Sequence, residues 1–149
     1  MRAFIFIWSL IFSLNVNAQT NSRSGNPINY IGSNVINGSS NAVIVDNVPL
    51  VHTRQFLPIN KKGAVVDRSN LSAQIDLIFR DISQTLRESG SKLNQIIKLN
   101  VFVARTEFII EAKSFISKKF HPEKQPSVTF AAGELPHPDA LISIDAIAV

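Results

Sequence analysis

The most constraining feature of this 149-residue chain is a periodic apolar pattern between Leu71 and Ser89. Apolar residues recur at steps of 4, 3, 4 and 4, which places them on one face of a helix: Leu71, Ile75, Ile78, Ile82 and Leu86. Ser69 or Asn70 can cap the start of this helix, and Gly90 suits the left-handed position just beyond its end. An amphipathic helix of this kind needs a second layer on which to bury its apolar face.

Strand-like segments and a second helix follow the first one in alternation. Residues 95–103 are dense in Ile, Leu, Val and Phe, which favours a strand. Thr106 can cap a second helix that Pro122 prevents from continuing. The expected buried face of that helix consists of Phe108, Ala112, Phe115 and Ile116. Two final strands are expected near residues 127–133 and 141–149.

A hairpin is expected before the first helix. Ala42–Val45 is a short β-branched run, Asp46 and Asn47 supply a turn, and 50–56 forms the second strand. The element order is therefore ββαβαββ, an α+β arrangement. Because a helix separates them, the middle strands are expected to pair in parallel by right-handed crossovers, with both helices on one face of the sheet.

The last strand is apolar on both of its faces. Its even positions suit a helix-covered core: Ile142, Ile144, Ala146 and Ala148. Its odd positions must face something else that is partly dry: Leu141, Ser143, Asp145, Ile147 and Val149. Because no helix is left for the second face, a subunit interface is expected there.

Composition removes several classes of chemistry. The chain has no cysteine, which excludes disulfides, zinc-thiolate sites and cysteine nucleophiles. His121 and His137 lie in proline-bounded loops without neighbouring ligands at zinc spacing, so neither a metal site nor a cofactor is expected. A net charge of +4 with 17% charged residues, and without interleaved aromatic residues, does not predict a nucleic-acid partner.

Residues 1–18 have the pattern of a secretory signal peptide. Arg2 precedes an apolar run, and Val16 and Ala18 place small residues at positions −3 and −1 of a cleavage site. The run is shorter than the roughly 20 apolar residues that span a bilayer, so no stable membrane anchor is expected; an uncleaved anchor and a buried strand are the alternatives. Removing 18 of the 149 residues leaves a secreted or periplasmic protein of 131 residues, and losing Arg2 lowers the net charge from +4 to +3.

Residues 19–41 are interpreted as a flexible leader. Between Thr20 and Asn41, 14 of 22 residues are Asn, Ser or Gly, which cannot bury enough apolar surface to offset chain entropy. Four apolar residues are exceptions: Tyr30, Ile31, Val35 and Ile36. They either dock as an edge strand or stay loosely tethered, and we expect the second. The folded domain is expected to comprise residues 42–149.

An ordered set of motifs in residues 42–149 resembles the Rid/YjgF family of enamine/imine deaminases, also described as the L-PSP endoribonuclease family. These motifs are Thr-Arg-Gln-Phe-Leu-Pro at 53–58, Glu-Ser-Gly-Ser-Lys-Leu at 88–93, Ile-Lys-Leu-Asn-Val-Phe-Val at 97–103, Pro-Ser-Val at 126–128, Leu-Pro at 135–136 and Ile-Asp-Ala-Ile-Ala at 144–148. The resemblance implies a chorismate-mutase-like fold and a homotrimer whose sheets line a central barrel. It also implies pockets for small carboxylate-bearing molecules at the subunit interfaces.

The resemblance also implies roles for individual residues. Family enzymes hydrolyse intermediates such as 2-aminoacrylate to 2-keto acids and ammonia, with an acidic residue on the last strand helping to hold the attacking water. Asp145 occupies that position and is the candidate catalytic residue. The family arginine that grips the substrate carboxylate is missing, because Gln-Pro-Ser-Val at 125–128 replaces Pro-Ala-Arg-Ser, so that Pro126 or Ser127 stands at its place. Ser127 and Thr129 offer hydroxyl groups for substrate binding instead.

Arg54 is the third candidate substrate-binding residue. It falls where the family loop has a glycine near the pocket, and a guanidinium group can grip a carboxylate. Alternatively, Arg54 is an ordinary surface or interface residue, or it fills the pocket. On a regular strand Arg54 and His52 would project from one face.

These departures from the family pattern leave two functions open. One is hydrolytic deamination of an enamine or imine, with Asp145 positioning water and Arg54 or Ser127 holding the substrate. The other is a non-catalytic trimer that binds small carboxylates or stabilises proteins. Some family members have been described as ribonucleases, but these residues offer no phosphate-cleaving constellation.

Overall fold

The computed structural model describes residues 27–149, and the expected signal peptide lies outside this range. The strands are β1 (Ile28–Ile31), β2 (Ala42–Val45), β3 (Val51–His52), β4 (Ile96–Val103), β5 (Ser127–Ala132) and β6 (Ile142–Ala148). Helix α1 (Leu71–Glu88) lies between β3 and β4, and helix α2 (Phe108–Ser117) lies between β4 and β5. A short 3-10 helix, Leu93–Gln95, leads into β4.

Strands β3 to β6 form a four-stranded mixed sheet in the order β3-β6-β4-β5. β4 and β5 pair in parallel through α2, as predicted, and β6 runs antiparallel to both β3 and β4. The apolar face of α1 and the even positions of β6 belong to one buried core. The α+β prediction, with two helices packed on a mixed sheet, is therefore confirmed.

Helix α1 follows its apolar period, and all five residues of the predicted face are buried. Asn70 is the cap, because its side-chain oxygen accepts a hydrogen bond from the Ala73 N–H at 3.0 Å. The cap predicted for α2 is wrong: Thr106 contributes only its backbone carbonyl, and Glu107 is the N-cap without a side-chain hydrogen bond. Within residues 27–149, neither helix combines the length and apolar content of a membrane span.

The expected hairpin between 42–45 and 50–56 is wrong. β2 pairs antiparallel with β1, with Ile28 opposite Val45, and β3 pairs with β6 instead. The tethered interpretation is therefore wrong for β1, which docks as a strand. Ile28 is buried, and the Tyr30 hydroxyl donates to the Ile96 carbonyl at 3.5 Å, so this polar segment still gains apolar and polar contacts.

The segment after β1 covers the start of β5, the strand at one edge of the sheet. The Ser39 hydroxyl oxygen accepts a hydrogen bond from the Val128 N–H at 2.9 Å. The Ser40 N–H donates to the Pro126 carbonyl at 3.0 Å. The serine-rich composition thus satisfies backbone groups at this edge.

The opposite edge of the sheet contains one extra residue. His52 lies opposite Ile147 and Phe56 lies opposite Ile144, so four steps along the edge strand oppose three along β6. An extra residue moves the side chains that follow it to the other face of a sheet. Phe56 consequently enters the helix-covered core, and Gln55 lies on the opposite face.

Candidate functional site

The sheet face opposite the helices, called the open face from here on, carries three cross-strand rows of side chains. Directly opposed residues on paired strands project from the same face. The first row is His52, Ile147, Lys98 and Ser127; the second is Asp145, Asn100 and Thr129; the third is Ser143, Phe102 and Ala131. These positions alternate with the core residues of the same strands.

Asp145 lies in the middle row and is half-buried. Its oxygen Oδ1 accepts a hydrogen bond from Nδ2 of Asn100 at 2.8 Å. An ionised carboxylate has about four acceptor positions, and within residues 27–149 Asp145 has no other side-chain partner. A neutral amide therefore orients this carboxylate and leaves its second oxygen for a ligand or a water.

Ser127 and Thr129 lie two residues apart on β5, and both hydroxyl groups meet Lys98 of β4. The ammonium Nζ of Lys98 lies 2.6 Å from Thr129 Oγ1 and 3.5 Å from Ser127 Oγ. The structure thus brings three of the candidate residues, Asp145, Ser127 and Thr129, to one face of the sheet. Sequence reasoning missed Lys98 and Asn100, although two polar residues at positions i and i+2 of an apolar strand already indicate a shared face.

Arg54 is not brought together with Asp145 within one chain. Its guanidinium carbon lies 4.9 Å from the centroid of the Phe56 ring, which belongs to the helix-covered core. His52, by contrast, lies on the open face opposite Ile147. A shared face for His52 and Arg54 is expected for a regular strand, and this condition is not met, because β3 ends at His52 and an extra residue precedes Phe56.

The open face is accessible to solvent at several positions in the single chain. The linings of four clefts among the described residues, with volumes of about 290 to 370 Å³, include none of the four predicted site residues. Thr129 and Ala131 are exposed, and Phe102 keeps 36% of its surface accessible. A ligand at Asp145 would therefore lie beside solvent-exposed positions. Among residues 27–149, no group of three His, Asp or Glu side chains is arranged to hold a metal ion.

Comparison of the sequence with known proteins finds one family and two relatives. The model of the family described as Endoribonuclease L-PSP matches residues 34–149. The mitochondrial protein MMF1 of Saccharomyces cerevisiae is 30% identical over 69 residues, 46% of this chain and 48% of the yeast protein, so the match spans about half of that relative. A RutC family protein of Pyrococcus abyssi is 26% identical over 92 residues, 62% of this chain and 72% of that protein.

Comparison with solved structures finds the same fold in proteins of this family. The Rid-family protein YyfB of Yersinia pestis superposes with a TM-score of 0.69 at 22% identity, over 76% of this chain and 88% of YyfB. The crystal structure of yeast Mmf1 has a TM-score of 0.61 at 25% identity, over 83% of this chain and 97% of Mmf1. Because the family model covers more than half of the sequence and the fold agrees, this chain belongs to the Endoribonuclease L-PSP family, also called the Rid/YjgF family.

Proposed function

We propose that the protein hydrolyses enamine or imine derivatives of small amino acids to 2-keto acids and ammonia on the open face. The observation that carries this proposal is the geometry of Asp145. Its carboxylate has a neutral partner, Asn100, at 2.8 Å, and its second oxygen has no side-chain partner within residues 27–149. Such a carboxylate can accept a hydrogen bond from a water and orient it toward a reacting carbon.

The proposed reaction needs little from the protein beyond positioning. The water oxygen adds to the imine carbon, and a proton of the water passes to the imine nitrogen. The remaining proton of the added hydroxyl group then passes to the nitrogen, the carbon–nitrogen bond breaks, ammonia leaves, and the carbonyl of a 2-keto acid remains. An enamine first becomes the imine by gaining a proton on carbon and losing one from nitrogen. Asp145 holds the water in this scheme, and the Ser127 and Thr129 hydroxyls bind the substrate.

We propose further that the open face is closed by assembly into a homotrimer. The third row places Phe102 on this face, and Ile147 adds a second apolar side chain in the first row. Apolar residues on an otherwise polar surface are typical of an interaction site. A neighbouring subunit would exclude water from the face and convert an open sheet into a pocket.

The deaminase proposal is tested with the purified mature protein, residues 19–149. Imines are generated in situ from amino acids by an amino-acid oxidase, and the release of ammonia is compared with the uncatalysed rate. Acceleration by the wild type and its loss in Asp145→Ala are expected. Asp46→Ala, which removes an exposed turn carboxylate, serves as the matched control and should retain the activity. A well-formed but inactive wild type would contradict the proposal.

A second function, non-catalytic binding of small carboxylates, is favoured by the position of Arg54. Pro126 or Ser127 stands in place of the family arginine, and Arg54 packs on Phe56 rather than beside Asp145. This function predicts that small acids raise the melting temperature without being turned over, because binding to the folded state stabilises it. Absence of any shift with small carboxylates would exclude it.

We also propose that the protein acts outside the cytoplasm, on the strength of the signal-peptide pattern in residues 1–18. N-terminal sequencing of the protein recovered from cell fractions tests this. A mature chain that starts at Gln19 in the periplasmic or secreted fraction is expected. A chain that keeps Met1 and stays in the cytoplasm would contradict export.

A further inference from the structure

Lys98 brings a positive charge to the open face. It lies on β4 opposite Ser127 of β5, in the row next to Asp145 and Thr129. Its side chain is half-buried, and its ammonium group rests against the two β5 hydroxyl groups, 2.6 Å from Thr129 Oγ1 and 3.5 Å from Ser127 Oγ. The hydroxyl groups thus fix the ammonium group near the start of β5.

Hydrogen-bond donors outnumber acceptors in this group of three side chains. An ammonium group carries three N–H bonds, and a hydroxyl group that accepts one of them keeps its own O–H free to donate. Within residues 27–149, neither Ser127 nor Thr129 donates a side-chain hydrogen bond, and Lys98 forms no ion pair. The three side chains therefore present unused donors and a positive charge without an anion.

The nearby carboxylate does not neutralise Lys98. Asp145 lies diagonally across β4 and β6 from Lys98, and its side-chain hydrogen bond is to Asn100. Lys98 and Asp145 thus carry opposite charges on the same surface, and the side-chain hydrogen bonds of each are to neutral groups. A small molecule that places a carboxylate at Lys98 can extend to Asp145, because the two residues lie in adjacent rows of the open face.

We propose that Lys98, Ser127 and Thr129 form a carboxylate-binding cluster in which Lys98 supplies the charge and the hydroxyl groups add hydrogen bonds. The inference rests on the proposed function and adds a substrate-binding residue to it. The positive charge of the cluster is supplied by Lys98 on β4, the strand that pairs with the one carrying Ser127. An ammonium group is a point charge, whereas a guanidinium group binds a carboxylate through two parallel hydrogen bonds. The hydroxyl groups must therefore set the orientation of the carboxylate.

The cluster is tested by calorimetric titration of the mature protein with sodium pyruvate and with its neutral amide, pyruvamide. The wild type is expected to bind pyruvate and not pyruvamide. Lys98→Met should weaken pyruvate binding at least about tenfold, because it removes a hydrogen bond to a charged group, and Lys98→Arg should retain binding. Lys61→Met removes an exposed loop lysine and should bind like the wild type. Unchanged binding by Lys98→Met, or no binding by the wild type, overturns the inference.

Imine hydrolysis measured on the same proteins separates this inference from the proposed function. If imine hydrolysis depends on Asp145 but pyruvate binding does not depend on Lys98, the carboxylate-binding cluster is overturned and the deaminase proposal stays intact. If pyruvate binding depends on Lys98 but the wild type does not hydrolyse imines, the cluster is supported and the deaminase proposal is overturned. If Lys98→Met does not fold, Thr129→Val replaces it, since it removes one hydroxyl at nearly constant volume. Several-fold weaker pyruvate binding then supports the cluster, and unchanged binding overturns it.

Discussion

Asn100 and Asp145 lie directly opposite each other on antiparallel strands β4 and β6, and the Asn100 amide donates to the Asp145 carboxylate at 2.8 Å. A carboxamide cannot neutralise a carboxylate, so the pair fixes the direction of the charge without removing it. This relationship distinguishes Asp145 from the carboxylates of the exposed ion pairs, such as Asp139 with Arg68.

Replacing Asn100 by Ala should therefore reduce imine hydrolysis without abolishing it. The hydrogen bond to Asp145 is lost, and a hydrogen bond to a charged group contributes enough for a rate decrease of about tenfold or more. The measurement is the rate of ammonia release at saturating imine. Asn37→Ala, in an exposed turn, is the control and should keep the wild-type rate. Equal rates for all three proteins would show that Asp145 does not depend on Asn100.

Phe102→Lys should dissociate the proposed trimer. Phe102 lies on the open face with 36% of its surface accessible, and a lysine there would bury a charge in the subunit interface. Sedimentation velocity should show a trimer for the wild type and a monomer for the variant. Ile110→Lys changes a residue of α2 that is 82% exposed, on the helix side, and should leave the trimer intact. A trimer that survives Phe102→Lys and breaks with Ile110→Lys would place the interface on the helices.

Asn70→Ala should destabilise the protein through the first turn of α1. The Asn70 side-chain oxygen accepts from the Ala73 N–H, and losing such a cap costs about 1 kcal/mol. Urea denaturation measures the change in the free energy of unfolding. Asn70→Asp keeps the accepting oxygen and should stay close to the wild type. Equal losses in both variants would mean that another property of Asn70 matters.

Tyr30 should make the protein less stable at alkaline pH. Burial raises the pKa of its phenol above the ordinary value of about 10. The folded state then holds this proton when the unfolded state has lost it. Its contribution to stability is complete below pH of about 10 and is lost as the pH rises through the higher pKa of the folded protein.

Two measurements test the behaviour of Tyr30. It is the only tyrosine of the chain, so phenolate absorbance reports its ionisation directly. The absorbance midpoint should lie at higher pH in the native protein than in urea. Tyr30→Phe should show a smaller alkaline loss of stability than the wild type. Coincident midpoints would contradict burial of this side chain.

Local periodicity predicted the parts of the fold that depend on one segment at a time. The steps between Leu71 and Leu86 predicted the buried face of α1, and the alternation in β6 assigned Ile142 to the core and Asp145 to the opposite face. Parallel pairing of β4 with β5 followed from the helix between them. These inferences need no knowledge of distant partners.

Pairings between distant segments could not be predicted in the same way. β2 has two neighbours of suitable composition, and nothing in its own four residues selects β1 over 50–56. The extra residue between His52 and Phe56 becomes visible only when both are paired with β6, and it breaks the regular alternation that the expectation for Arg54 assumed. The contacts of Lys98 could not be predicted for a related reason, because its partners lie 29 and 31 residues away on β5.

The two edges of the sheet limit the ways in which copies of this chain can associate. At one edge, Ser39 and Ser40 occupy hydrogen-bonding groups at the start of β5; at the other, β3 is two residues long and is followed by the extra residue. Strand addition, which generates open-ended fibrils, needs a long unpaired edge. The proposed trimer would use the open face instead, where an assembly with rotational symmetry ends at a fixed number of subunits.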